Sequence, residues 1–251
     1  MTEIFSAIFY QPILNLLIVI YNVIPGHDMG VAIIALTILV KIILAPLSWK
    51  QLESQKMLQD IQPKLNEIKE QYKNDKEGLA RAQMQYFQEQ KINPLSSCLP
   101  LLVQLPFLFA MYYVFMSGLK NDGVAELLYP FVQNPGKLNE TFFGVISMTQ
   151  NGNIVLAVAA AGVQYWQAKM ITPKKRPPKV AGAKDEDMAA AMSQNMLLFM
   201  PVITGVMTYQ FPAGLGLYWF FQTAVAIVQQ YVFNMRAKNK PPHVEVIPAK
   251  R

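Results

Sequence analysis

The sequence predicts an all-α membrane protein: five transmembrane helices, a cytoplasmic helical hairpin, and an N-terminal interfacial helix. Three observations carry that prediction. Apolar residues fill 53% of the 251 positions and charged residues only 15%, against roughly a quarter charged in soluble domains. The charge is also clustered: Asp, Glu, Lys and Arg are absent from residues 4–27, 93–119, 141–168 and 188–235, and Lys41 alone interrupts 29–49. Stretches of that length suit the roughly 20 residues needed to cross about 30 Å of hydrocarbon. Finally, Lys plus Arg number zero in 1–29, eight in 48–92, two in 120–152, six in 169–195 and five in 236–251. That alternation follows the positive-inside rule and sets the N-terminus outside and the C-terminus in the cytosol.

Taken in order, residues 1–29 form an extracytoplasmic or interfacial helix. The run 4–24 is long enough to cross, yet Gln11, Pro12, Asn15 and Asn22 interrupt it and no basic residue holds Met1 inside. The same lack of a positive n-region disfavours a cleaved secretory leader. Spans follow at 30–47, 93–119, 153–170, 196–211 and 214–235, the last two separated by Pro212-Ala213-Gly214. Between the first and second, residues 48–92 reverse the composition, with eight basic and seven acidic residues. Leu58, Ile61, Leu65, Ile68 and Tyr72, spaced 3, 4, 3 and 4, make a coiled-coil seam. The turn residues Asn74-Asp75-Lys76-Glu77-Gly78 then lead to Leu79, Ala82 and Tyr86 on a returning helix. Pro63 is expected to kink or restart the first arm. Residues 120–152 are an extracytoplasmic loop. The cytoplasmic loop 171–195, with Pro173, Pro177, Pro178 and mixed charge at Lys184-Asp185-Glu186-Asp187, reads as mobile to about Ala191. The basic tail 236–251 is a topology anchor or a contact for ribosomal RNA or anionic lipid.

Several chemistries are excluded by residue supply. One cysteine, Cys98, allows no internal disulfide and no CxxC metal site. His27 and His243 lie outside the spans, which leaves no intramembrane Ser–His dyad and no histidine-ligated metal. A phosphate-cradling glycine motif is missing, so no nucleotide or other cofactor is expected. The net charge of +6 flanks apolar spans instead of forming a basic module with interleaved aromatics, and DNA is not an expected partner.

The chemistry that remains is intramembrane polarity. At about 1.5 Å per residue, Lys41 lies roughly 16 Å beyond Gly30 and about 10 Å before Ser48, in the inner half of the bilayer. A lysine at that depth either snorkels its stem to the cytoplasmic headgroups or is solvated in place. No Asp or Glu lies in any span, so solvation in place requires water or a ligand, and a wet cavity open to the cytosol is the simplest solution. Thr37, one turn earlier, shares its helix face. Gln104, Gln164, Thr208, Tyr218, Trp219 and Gln222 are the candidate lining residues from the other spans. Each of these also suits ordinary interhelical hydrogen bonding or aromatic packing.

The ordered motifs Lys41-Ile42-Ile43-Leu44-Ala45-Pro46-Leu47, Gln62-Pro63-Lys64, Ile92-Asn93-Pro94-Leu95-Ser96-Ser97-Cys98-Leu99-Pro100-Leu101-Leu102-Val103-Gln104-Leu105-Pro106, Phe199-Met200-Pro201-Val202 and Phe211-Pro212-Ala213-Gly214-Leu215 resemble the YidC/Oxa/Alb family of membrane protein insertases. The likeness covers about Tyr10 to Arg236 and is closest to short bacterial members. It implies a five-helix core whose hydrophilic groove opens to the cytosol and the lipid but is sealed outside. It further implies an amphipathic helix on the outer surface and residence in the bacterial plasma membrane. Nascent membrane proteins, the ribosome, the Sec translocon, the signal recognition particle receptor and membrane lipids are the implied partners. Most bacterial members carry arginine where this chain has Lys41, and lysine keeps the charge without the bidentate fork. A large periplasmic domain has no counterpart in 1–29. The implied activity is insertion and folding of nascent membrane proteins without covalent chemistry. The rival readings are a small secondary transporter or channel for an anionic solute, and an assembly chaperone that does not insert. Five unequal spans and a long hairpin do not resemble two inverted repeats.

Overall fold

The computed structural model describes residues 3–73, 75–90, 92–93, 99–118, 124–172 and 184–237. The start of the second expected span (94–98), Lys174-Lys175-Arg176 and the tail from 238 onward lie outside the described residues.

The described residues are mostly helical. α1 (Glu3–Phe5), a π-helical turn at Ser6–Tyr10 and α2 (Gln11–Val23) form one 21-residue helix, long and apolar enough to cross a membrane. Tyr10, Leu14, Leu17, Ile18 and Tyr21, at helical spacing, are its buried face, whereas Ile4, Ile8, Val19 and Val23 are exposed. The polar residues that argue for a surface helix have specific partners. The Asn15 side chain donates to the Gln11 and Leu127 carbonyls and accepts from the Tyr129 amide at 2.6 Å, Asn22 donates to the Gln133 carbonyl, and the Tyr21 hydroxyl accepts from the Asn139 amide. Pro12 lies just after the π-helical turn, the kind of irregularity at which a continuous helix accommodates a proline.

α3 (Met29–Ile43) is capped by Asp28, whose Oδ1 accepts from the Val31 amide at 2.9 Å. The expected span 30–47 is broken at Leu44. There the chain turns by 66° into α4 (Ala45–Asp60), with Pro46 in the first turn of the new helix. A second break at Ile61 starts α5 (Gln62–Gln71), again with a proline, Pro63, in its first turn. α6 (Lys76–Glu89) returns from a cap at Asp75, whose side chain accepts from the Gly78 amide. Ile61, Leu65 and Ile68 are buried with Leu79, Tyr86 and Ile92 in a small core of their own, flanked by Met57, Leu58, Ala82 and Phe87.

α7 (Leu99–Tyr113) passes into a π-helical turn at Val114–Gly118, then α8 (Val124–Leu127) and a two-stranded hairpin follow. In that hairpin β1 (Thr141–Phe142) pairs antiparallel with β2 (Ile146–Ser147), Thr141 opposite Ser147 and Phe142 opposite Ile146. α9 (Ile154–Ile171) is the second helix long and apolar enough to cross, and the bent pair of α3 with α4 and α5 makes a third if counted as one span. Leu102–Met116 and Leu197–Gln210 are shorter apolar helices. α10 (Lys184–Gln210) begins earlier than the loop reading to Ala191 allows. Three acidic residues followed by Met188-Ala189-Ala190-Ala191-Met192 suit a helical first turn and a helical body, respectively. α11 (Ala213–Ala237) closes the fold.

One large core joins α2, α3, α7, the loop before α9, and the start of α11. Gly214 is needed at the α11 start: a Cβ there would collide with the Phe115 ring, and its amide donates to the Met148 carbonyl at 2.8 Å. α9 packs on both α10 and α11.

Candidate functional site

The candidate side chains come from five helices, and the structure joins them in subsets. The tightest subset links α7 to α11. Gln104 Nε2 donates to the Tyr218 hydroxyl at 2.7 Å and to Gln222 Oε1 at 2.5 Å, and Gln222 Nε2 donates back to Gln104 Oε1. Tyr218 and Gln222 are four residues apart, so one helical turn presents both to Gln104. Tyr218 is buried, while the two glutamines are half-buried. A reciprocal amide pair satisfies both side chains without water, the requirement for polar groups in an apolar bundle.

A second subset links α11 to α9, where Trp219 Nε1 donates to Gln164 Oε1 at 3.4 Å. Both are half-buried. Being adjacent, Tyr218 and Trp219 diverge around α11, which lets one helix address α7 and α9 together.

Thr37 and Lys41 share a face of α3, the helix packed on α11. Thr37 is 1% exposed and its hydroxyl donates to the Ile33 carbonyl one turn back at 2.6 Å, so the oxygen is engaged within its own helix. Lys41 is half-buried. Among the described residues no hydrogen-bond or ion-pair partner of its ammonium is found. Because α3 stops at Ile43, Lys41 lies two residues from the helix end, about 3 Å along the axis. That is closer to the end than an unbroken span to Leu47 places it, and a cation in the last turn is favoured by the helix dipole.

Thr208 sits elsewhere, at the close crossing of α10 and α11. A Cβ on Gly216 would collide with its methyl group, and its buried hydroxyl has no partner among the described residues. The contact of its methyl group with Gly216 gives it a packing role at this crossing.

Sequence spacing does not reveal the junction between the hairpin and the bundle. Trp49 of α4 stacks edge-on against Phe233 of α11, and the Arg236 guanidinium lies 5.3 Å from the Trp49 ring. Lys56 Nζ donates to the Ala237 carbonyl at 3.4 Å and Gln59 Nε2 to the Ile171 carbonyl at 2.6 Å, meeting carbonyls near the C-terminal ends of α11 and α9. A cavity of about 500 Å³ opens beside Trp49, Lys56, Met57, Phe233 and Arg236. Partners more than a hundred residues apart leave no periodic signal; the available hint is an aromatic and a basic residue at span ends. Among the described residues no group of three His, Cys, Asp or Glu side chains is placed to hold a metal.

Comparison with known proteins gives one family. Residues 19–240 match the family model of the 60Kd inner membrane protein. A Fusobacterium nucleatum protein named Membrane protein insertase YidC is 36% identical over 204 residues, covering 81% of this chain and 85% of that protein. A Clostridium perfringens protein of the same name is 32% identical over 253 residues, covering 94% and 98%. The Geobacter sulfurreducens protein of that name is 29% identical over 228 residues, and there the match spans 37% of the relative's length.

Proposed function

We propose that this chain, which belongs to the 60Kd inner membrane protein family, is a membrane protein insertase that facilitates transfer without covalent chemistry. Its relatives of similar length carry the insertase name, and the helical, apolar architecture supports the reading. In this proposal five spans, the first shortened to 29–43 by the bend at Leu44 and the others at 93–119, 153–170, 196–211 and 214–235, surround a hydrophilic groove open to the cytosol. The N-terminus lies outside and the C-terminus inside.

The single observation that carries the mechanism is a half-buried Lys41 without a partner among the described residues, on a helix packed against the amide-bearing α11. A nascent membrane protein must move a short polar, often acidic, segment through a layer that disfavours each charge by several kcal/mol. Lys41 attracts that segment, and the hairpin α4–α6 captures it as it emerges. Gln104, Tyr218 and Gln222 hydrogen-bond one another while the groove is empty. Opening exchanges those bonds for bonds to the cargo backbone, and such an exchange has a small net cost. Gln164 and Trp219 act alike on the α9 side, Thr37 aligns the Lys41 face, and Thr208 sets the α10–α11 crossing. Burial of roughly 20 apolar cargo residues in lipid then drives lateral release. Nascent membrane proteins are the substrate. The ribosome, the Sec translocon, the signal recognition particle receptor and membrane lipids are proposed partners.

The test is reconstitution into liposomes with a short membrane substrate bearing an acidic tail. Lys41→Gln should impair insertion while leaving the purified protein's helicity and melting unchanged, and Lys41→Arg should retain activity. Full activity of Lys41→Gln would overturn the electrostatic step. Solute flux across sealed liposomes without insertion would overturn the insertase assignment in favour of a transporter.

A further inference from the structure

We propose that the Phe143-Gly144-Val145 tip of the β1–β2 hairpin is a membrane-dipping element, seated among the lipid headgroups and upper acyl chains of the leaflet on its own side. Phe143 is 73% exposed and Val145 83% exposed. Large apolar side chains this open, side by side in a short turn, are disfavoured in water. Phe143 also adopts a positive φ of 49° ahead of Gly144 at 69°, a region where a phenylalanine is an outlier. The Val145 amide closes the turn onto the Phe142 carbonyl at 3.0 Å. Turns of this kind favour Asn and Gly, so an aromatic here carries a conformational cost that water does not offset.

The tip is held in position. The Phe142 ring lies against Gly30, where a Cβ would collide with it, and the Phe143 amide donates to Asp28 Oδ2 at 2.6 Å. The same Asp28 caps α3 through its other oxygen. Beyond β2, the Gly214 amide donates to the Met148 carbonyl and the Ala213 amide to the Gln150 carbonyl, both at 2.8 Å. The Gly152 amide donates to the Tyr209 carbonyl, and Asn151 Nδ2 to the Gln210 carbonyl. The hairpin is therefore fastened where α3, α9 and α11 begin and α10 ends.

The ends of apolar helices mark the boundary of the hydrocarbon, and that location identifies the occupant. Aromatic side chains are favoured at that boundary. Residues 141–153 contain no Asp, Glu, Lys or Arg, so no side-chain charge resists entry. The nearest acidic groups are engaged: Asp28 as above, and Glu140 as acceptor for the Thr149 hydroxyl at 2.6 Å. A lipid leaflet, in place of a protein partner, fits a small, rigid, uncharged tip at this level.

The experiment uses the full chain with Cys98→Ser, a nitroxide attached at Val145→Cys, and reconstitution into phospholipid vesicles. A second preparation labels Asn134→Cys, an exposed polar position on the same loop. Collision with oxygen should exceed collision with a water-soluble nickel chelate at position 145, and the order should reverse at position 134. Adding Phe143→Ser to the Val145→Cys protein should raise nickel accessibility there. The opposite order at 145, with nickel collisions matching those at 134, would overturn the proposal. Because both positions are exposed, labelling does not require the core to rearrange.

Discussion

Replacing Gln104 and Gln222 by leucine, singly and together, separates their structural role from their proposed role in the groove. Either single change leaves a half-buried amide facing leucine in place of its reciprocal partner. Gln104→Leu also removes the donor to Tyr218, a buried hydroxyl. Interhelical hydrogen bonds in membranes average about 0.6 kcal/mol and reach about 1.7. Two reciprocal bonds should thus give a coupling of about 1–2 kcal/mol, roughly a five- to thirtyfold change in the folding equilibrium. Each single variant should lose stability by at least that coupling. The double variant should recover most of it, because both polar groups leave together and only the Tyr218 hydroxyl is left without its donor. Reversible unfolding in mixed detergent micelles, followed by circular dichroism, measures the cycle. Under the proposed mechanism insertion should not recover in the double variant, since the groups proposed to replace water around the cargo are gone. Strictly additive losses would refute the pairing. Recovered stability together with normal insertion would refute the groove role while leaving the pairing intact.

Asn15→Ala should destabilise the protein by about 1–3 kcal/mol, because the Leu127 carbonyl and Tyr129 amide lose their partner at a site 2% exposed; limited proteolysis of residues 124–139 should accelerate in parallel. Gly216→Ala should lower stability by about 1–3 kcal/mol by forcing a Cβ into the Thr208 methyl, and adding Thr208→Ser, which removes that methyl, should restore it in the same thermal melt. The Lys64 ammonium donates to Glu67 at 2.7 Å, and that bond holds it above the usual lysine range. Its contribution is therefore present below the ordinary lysine pKa and lost as pH rises through the raised one. Glu67→Gln should lower the Lys64 titration midpoint in an NMR titration and should leave folding at neutral pH nearly unchanged.

What was legible in the sequence was local. The spacing of Ile61, Leu65 and Ile68, and of Leu79 and Tyr86, needs only helical periodicity, and those residues are buried against each other in the hairpin. Pro63 marked a break because a ring and a missing donor act on the adjacent turn, and the helix restarts there. Pro46 carries the same information, but the apolar run through Leu47 masks it, so the sequence predicts a continuous span where the chain bends at Leu44. The polar residues 104, 164, 218, 219 and 222 were legible as a set and not as pairs. Which amide meets which depends on the rotation of α7, α9 and α11 about their axes, fixed by packing across more than fifty residues. Asn15 shows the same limit: in the sequence a polar residue in an apolar run looks like an interruption, and its partner, 112 residues later, comes into view only in the fold.

Under the proposed mechanism, the bend at Leu44 would also couple capture to insertion. α3 carries Lys41, and two residues beyond Ile43 the same chain begins α4, the base of the hairpin. That base is attached to α11 by Trp49, Phe233 and Arg236, and to the end of α9 by Gln59. Its far arms, α5 and α6, have a separate core. A force on the arms is therefore transmitted first to the Trp49 junction and to the short Leu44 link, close to the Lys41 ammonium. α11, which forms the other side of the junction, bears Tyr218 and Gln222 about three to five turns away along its axis. Rocking of the hairpin when it receives a segment would thus load the one helix that holds the α7 amide pair closed. Under the proposed mechanism, weakening the junction with Trp49→Ala should leave the Gln104–Gln222 coupling intact and still slow insertion. A fall in that coupling would place the junction's effect in bundle packing instead.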